Sequence, residues 1–168
     1  MSSTPQSAES QRAHFLSMLR QFRDGMLVTH GPDQLLHARP MHVAQVEDQG
    51  AVWLMSDLHA LKVEELRRDA RATVTMQDGG RFLALAGHAE VVRDADKVAA
   101  LWSEPWRVWF PTGPADPTIA LLKVVPEGGE YWDSSGVKGL KYAFAAAKAY
   151  ATGDRPHLGR EHQAKVDL

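Results

Sequence analysis

The feature that most limits what this chain can fold into is its run of short β-prone segments, broken by tight turns and carrying few helices between them. Residues 26–30, 35–46, 51–55, 72–76, 82–92, 118–125 and 130–133 are rich in Val, Leu, Thr and aromatic residues. Gly31-Pro32-Asp33, Glu47-Asp48-Gln49-Gly50, Asp78-Gly79-Gly80 and Pro126-Glu127-Gly128-Gly129 read as the turns that separate them. Parallel strands need long crossovers, usually helical, and the alternation of strand and helix that supplies them is absent, as is a GxGxxG loop. The sheet is therefore expected to be antiparallel. With about seven strands it is expected to close into a small barrel, because closure removes exposed edges. The fold class is α+β.

Helical spacing marks the remaining segments. Phe15, Leu16, Leu19 and Phe22 recur on one face of a predicted helix over residues 7–23, ended by Asp24-Gly25. Leu61, Val63 and Leu66 form one face of a helix over 58–69. A third helix over 94–102 has Asp94 as N-cap. An alanine-rich helix is expected over 139–151, with Leu140, Ala143, Phe144 and Ala147 on one stripe. Gly87 inside a long strand predicts a bulge or a close backbone approach. The domain is expected to span 1–152, with a polar, mobile tail over 153–168.

Composition narrows the function. With 44% apolar and 24% charged residues in 168, the chain is an ordinary globular one and not disordered. A net charge of −2 gives no basic stripe for nucleic acid. No apolar run is long enough for a membrane span, and the polar N-terminus does not read as a secretion signal. The absence of cysteine excludes thiol nucleophiles, disulfides and cysteine metal sites, and is compatible with a cytoplasmic location. Eight histidines raise the question of a metal, but none is expected: His37 and His42 lie five apart on a strand and face opposite sides.

Three places carry chemistry. Arg39-Pro40-Met41 lies in a predicted strand, where proline belongs at an edge or a bulge. Arg39 is either a solvated edge residue or a fork for a phosphate. Trp53-Leu54-Met55-Ser56-Asp57 leads off a strand toward a helix N-terminus bearing Lys62. Ser56 or Asp57 is expected to cap that helix, with or without an anion bound beside Lys62. The loop 103–117 holds Trp106, Trp109 and Phe110 between four prolines, with Trp102 before it and Trp132 beyond. Rigid aromatics of this kind either glue a loop or a subunit interface together or stack on a planar ligand. Glu64 and Glu65 are adjacent on a helix and do not read as a catalytic pair; His59 is the nearest to a proton-transfer candidate, and the catalytic residue is left unassigned.

In order and spacing, these segments resemble the FMN-binding split-barrel family that includes the pyridoxamine 5′-phosphate oxidases, and within it the bacterial general stress proteins. The matching pieces are residues 25–29, Ala38-Arg39-Pro40-Met41, Trp53 to Asp57 with Lys62, residues 74–77 ending at Gln77, residues 86–91, residues 109–113, Asp116-Pro117, and Glu130-Tyr131-Trp132-Asp133. They span about residues 10–135. The resemblance implies a six- to seven-stranded antiparallel split β-barrel with flanking helices, and a homodimer with a flavin in each intersubunit groove. The cofactor it implies is FMN, with FAD also compatible. Arg39 and Lys62 would hold the phosphate. Pro40, Met41, Gln77 and the stretch Trp53, Met55, Ser56 and Asp57 would line the ring, and Trp109, Phe110 and Trp132 would close the pocket. Two departures stand out: Ala60 occupies a position that is often Ser or Thr, and the C-terminal segment lacks the oxidases' substrate-binding arginine. The resemblance therefore implies a flavin-binding stress protein and not pyridoxamine phosphate oxidation. Its alternatives are a flavin-dependent oxidoreductase or flavin reductase on another small substrate, and a dimerisation module holding deazaflavin F420 or haem.

Overall fold

The computed structural model of the protein describes residues 7–134 and 163–168. Seven strands form one antiparallel sheet: β1 (Asp24–His30), β2 (Leu36–Val46), β3 (Val52–Asp57), β4 (Arg71–Asp78), β5 (Arg81–Val92), β6 (Ile119–Asp133) and β7 (Gln163–Asp167). The order is β3-β2-β1-β4-β5-β6-β7, and a further pairing of β3 with β6 closes the first six strands into a barrel. β7 adds to the free side of β6, where residues 128–132 pair with 163–167. The end of the expected mobile tail is thus a paired strand, while residues 153–162 and the predicted helix over 139–151 lie outside the described residues.

Alternation along the strands builds two cores. Leu27, Leu54, Val74, Leu83, Leu85, Leu122 and Val124 fill the barrel, joined by Phe15 and Leu19 from α1 (Ala8–Leu19) and by Val63 and Leu66 from α2 (Leu61–Arg68). On the outer face of β3 and β6, Trp53, Ile119 and Leu121 meet Val98 of α3 (Ala95–Leu101) and Trp106 and Phe110 of the turn-rich loop. β3 is therefore buried on both faces.

The element ends differ from expectation for local reasons. α1 stops at Leu19 and Gly25 is already in β1, opposite Met41. Gly25 serves close packing and not a helix cap: a Cβ there would come within 3.0 Å of Thr75 O. α2 begins at Leu61, not Leu58, because residues 57–60 form a turn in which Asp57 Oδ1 accepts the His59 N–H at 2.7 Å. The expected turn at 126–129 does not form. β6 runs through it, with the register shift opposite Ala86 and Gly87 that absorbs one residue. Gly87 makes this possible, since a Cβ would sit 2.0 Å from Val125 O. Asp94 caps α3 as expected, accepting from Lys97 N at 2.9 Å. Among the described residues no helix is long and apolar enough to cross a membrane.

Candidate functional site at the barrel opening

The barrel is closed but not evenly zipped. Residues 36–42 of β2 pair only with β1, and β2 meets β3 only from Val43 onward, across a bulge at Val43/Gln45. Residues 55–57 of β3 pair only with β6. Between these two half-paired stretches the sheet splits. Pro40 lies on the open stretch of β2, where its missing N–H costs the ladder least. The far side of the opening is formed by Met55, Ser56 and Asp57 and the start of α2, whose N-cap, Ala60, offers no side-chain acceptor to the helix.

Two cations reach this opening. Arg39 from β2 has a side chain only 20% exposed. Lys62, in the first turn of α2, is partly buried. Burial first, and then the Arg39 charge, pull the Lys62 ammonium below its ordinary range, against the opposing pull of Asp57 and Glu65. The two cations are thus close enough to disfavour each other. The Lys62 ammonium makes no hydrogen bond or ion pair with another described residue.

Behind Arg39 lies a carboxylate that the sequence did not advertise. Glu65 of α2 is buried, with its side chain 1% exposed. Its Oε2 accepts from Thr29 Oγ1 at 2.6 Å and from Arg39 Nη2 at 2.7 Å. Its Oε1 faces His37 Nδ1 at 2.5 Å, and Arg39 Nη1 donates to Thr29 Oγ1. Burial pushes the Glu65 carboxyl up, but the hydrogen bonds from Thr29, His37 and Arg39, with the Arg39 charge, hold it below the ordinary carboxylate range. Leu61, expected on the inner face of α2, is 54% exposed instead. The signal for Glu65 was its place between Val63 and Leu66, the two residues that fix the inward face. Thr29 and His37 carried no comparable signal.

The outer face of the barrel carries a second feature. Register places Pro40 beside Met26, Met26 beside Thr75, and Thr75 beside Ala84 in one row across β2, β1, β4 and β5. Gln77, Phe82 and Trp132 form the next row, across β4, β5 and β6. Together they line an open groove of about 570 Å³, with Met26 and Phe82 both substantially exposed.

The expected site residues therefore do not all converge on one place. Arg39, Lys62, Ser56 and Asp57 gather at the opening, while Met55, on the same stretch of β3, packs against the outer cluster; Ser56 is buried and its hydroxyl donates to Asp57 O at 3.1 Å. Pro40, Gln77 and Trp132 line the outer groove. Met41 belongs to the barrel core, while Trp53 and Phe110 belong to the outer cluster. The Trp53 indole N–H donates to Glu47 at 2.7 Å, and Lys97 and Lys123 sit over its ring. Trp109 is apart from all of these, 78% exposed next to an equally exposed Val108. His59 is exposed at the turn before α2. Among the described residues no group of three or more His, Asp or Glu is arranged to hold a metal ion.

Comparison with known proteins places this architecture. A general stress protein 26 structure from Jannaschia sp. CCS1 shares 28% identity, covers 95% of this chain and 99% of its own, and superposes with a TM-score of 0.71. General stress protein 26 from Bacillus anthracis str. Sterne is 20% identical over 72% of this chain and 92% of its own, with a TM-score of 0.65. A Clostridium acetobutylicum protein related to general stress protein 26, of the pyridoxinephosphate oxidase family, is 22% identical over 71% of this chain and 88% of its own, with a TM-score of 0.63. The last two show the shared fold alone. The search of curated proteins returned no match. The model of the family described as pyridoxamine 5′-phosphate oxidase like matches residues 10–157, and the chain belongs to that family.

Proposed function

We propose that this chain is an FMN-binding general stress protein that works as a homodimer, with the flavin phosphate held at the barrel opening by Arg39 and Lys62. The observation that carries this reading is the convergence of these two cations on a half-paired strand edge, with Lys62 partly desolvated and unmatched by any described anion at ion-pair distance. A phosphate dianion there would relieve the repulsion between them. Arg39 spends donors on Thr29 and Glu65, yet a guanidinium has five, so the remainder are free for a phosphate. The absence of a hydroxyl at Ala60 removes one candidate donor, and Ser56 or a backbone N–H at the start of α2 takes its place.

The planar ring is proposed to lie along the open edge of β2, reaching the outer face at Pro40. There Met26, Phe82 and Trp132 supply apolar surface and Gln77 an amide. The same exposed face suits a second copy of the barrel, which would bury it and close the flavin from water. Trp53, Met41 and Phe110 support the walls from beneath, and Trp109 is free to reach across to the partner. Bound flavin supplies redox chemistry to whatever acceptor the stress response uses; the chain's own residues bind, orient and shield it.

The test is a titration of purified apoprotein with FMN, following tryptophan emission. Emission is expected to fall as Trp132 meets the ring. Unchanged emission at high micromolar FMN, with no chromophore extractable from protein made in a flavin-replete host, contradicts the reading.

A further inference from the structure

His37 of β2 is bracketed by two carboxylates. Its Nδ1 lies 2.5 Å from Glu65 Oε1 and its Nε2 lies 3.2 Å from Asp33 Oδ2. A neutral imidazole has one N–H, and an ionised carboxylate only accepts, so a neutral ring satisfies one of these contacts and not both. The Asp33 carboxyl is held below its ordinary range, chiefly by the Leu35 N–H, so it is a poor home for the extra proton. The ring is therefore the proton carrier: its hydrogen bonds to Glu65 first and Asp33 second hold its pKa above the ordinary 6.5. Gly31 is shaped to admit this arrangement, since a Cβ there would lie 2.5 Å from both the imidazole and Asp33 Oδ1.

The charged groups around this ring come from the β1–β2 turn, β2 and α2. Asp33 in the turn and Glu65 on α2 contact the ring directly; Arg39 on β2 shares Glu65, and Lys62 on α2, with Asp57 at the end of β3 acting on it, interacts with Arg39 and Glu65. His30, at the end of β1, bears on Asp69. With the proton present, His37 shares the neutralisation of Glu65, and Arg39 keeps charge for an external anion. Without it, Arg39 becomes the main counter-charge of a buried carboxylate.

From this geometry we infer that Glu65 is a positioning residue that holds Arg39 at the opening, and that capture of a phosphate there is coupled to the proton on His37. This rests on the reading that the opening takes the phosphate of FMN. Linkage makes the coupling reciprocal: a bound phosphate must raise the proton affinity of His37 by the same factor that the proton raises phosphate affinity. One charge removed from so small a cluster is expected to weaken a phosphate dianion about tenfold.

The experiment has two arms. In the first, His37 ring resonances of the apoprotein are titrated with pH, with and without saturating inorganic phosphate. His37 is expected to titrate above 6.5, higher still with phosphate, and to return toward 6.5 in Glu65→Gln. In the second, affinities for FMN and riboflavin are measured across the same pH range in the native protein and in His37→Gln. Native affinity for FMN is expected to fall about tenfold through the His37 titration, beyond the common effect of the ligand's own phosphate. His37→Gln and riboflavin are expected to lack that fall. An ordinary His37 titration, one unmoved by phosphate, or identical FMN profiles in native and His37→Gln protein overturns the inference. Should Glu65→Gln fail to fold, His37→Gln and the native phosphate shift still decide it. If phosphate moves His37 but FMN binds at no pH, the flavin reading falls and the coupling stands; if FMN binds tightly with a profile indifferent to His37, the coupling falls alone.

Discussion

Glu65 concentrates the cost of this design in one side chain. A buried carboxylate is tolerated because Thr29, His37 and Arg39 all donate to it, so its removal strands two cations and a hydroxyl. Arg39 and His37 keep some solvent access, which softens the penalty; Glu65→Ala is expected to cost about 3 kcal/mol in a urea unfolding series. The same network predicts a window in pH. Glu65 titrates below its ordinary 4.5, so its stabilisation is complete above that value and disappears as pH falls through the lowered one. His37 titrates above 6.5, so its stabilisation is complete below 6.5 and is lost as pH rises through the raised value. Unfolding midpoints of the native protein should be highest between the two, and the alkaline decline should be absent in His37→Gln. An alkaline decline of equal size in both would contradict the role given to His37. Little of this was legible beforehand. Arg39 and Lys62 stood out by residue type and by the segments around them. Glu65 did not, because a Glu-Glu pair on a helix reads as solvent-facing until the inward stripe is fixed, and the partners that make burial tolerable are Thr29 on β1, 36 residues away, and His37 and Arg39 on β2, 28 and 26 residues away.

At the scale of elements, the strands were readable from β-branched and aromatic runs, and their ends were not. Gly25 and the 126–129 segment look like stop signals in isolation. Gly87, inside its strand, points to a bulge or a close approach, and the structure has both there. The 126–129 segment has the composition of a turn, yet it stays within the ladder because β5 supplies a glycine opposite it. Only the partner strand decides between these outcomes, and local composition does not contain it. Gly87→Ala places a methyl against Val125 O and is expected to destabilise the domain by about 1–3 kcal/mol, read as a lower denaturant midpoint at unchanged m-value. A neutral substitution would mean that β5 and β6 are not held as close as described. Phe15, fully buried, lies over Gly129, and Phe15→Ala should cost about 3–5 kcal/mol because α1 closes the core at that point. The aromatic loop shows the same limit from the other side. Its rings were evident as a group, but their division into buried Trp106 and Phe110 and exposed Trp109 follows from packing on α3 and β6.

For the whole molecule, barrel closure followed from strand count and the absence of crossovers, whereas the position of the opening did not. It depends on where β2 stops pairing with β3, which is a matter of register. The exposed outer face with Met26 and Phe82 gives the dimer proposal a direct check. The native protein is expected to sediment at twice the chain mass, and Phe82→Asp at the chain mass with its barrel intact by circular dichroism. The central claim is that the opening grips the phosphate end of a flavin. It is tested most directly by comparing FMN and riboflavin affinities in the native protein and in Lys62→Ala. Loss of one charge-assisted contact of about 1.5–3 kcal/mol predicts a tenfold or greater weakening of FMN, with riboflavin little changed. Equal losses for the two ligands, or none for FMN, would contradict the account.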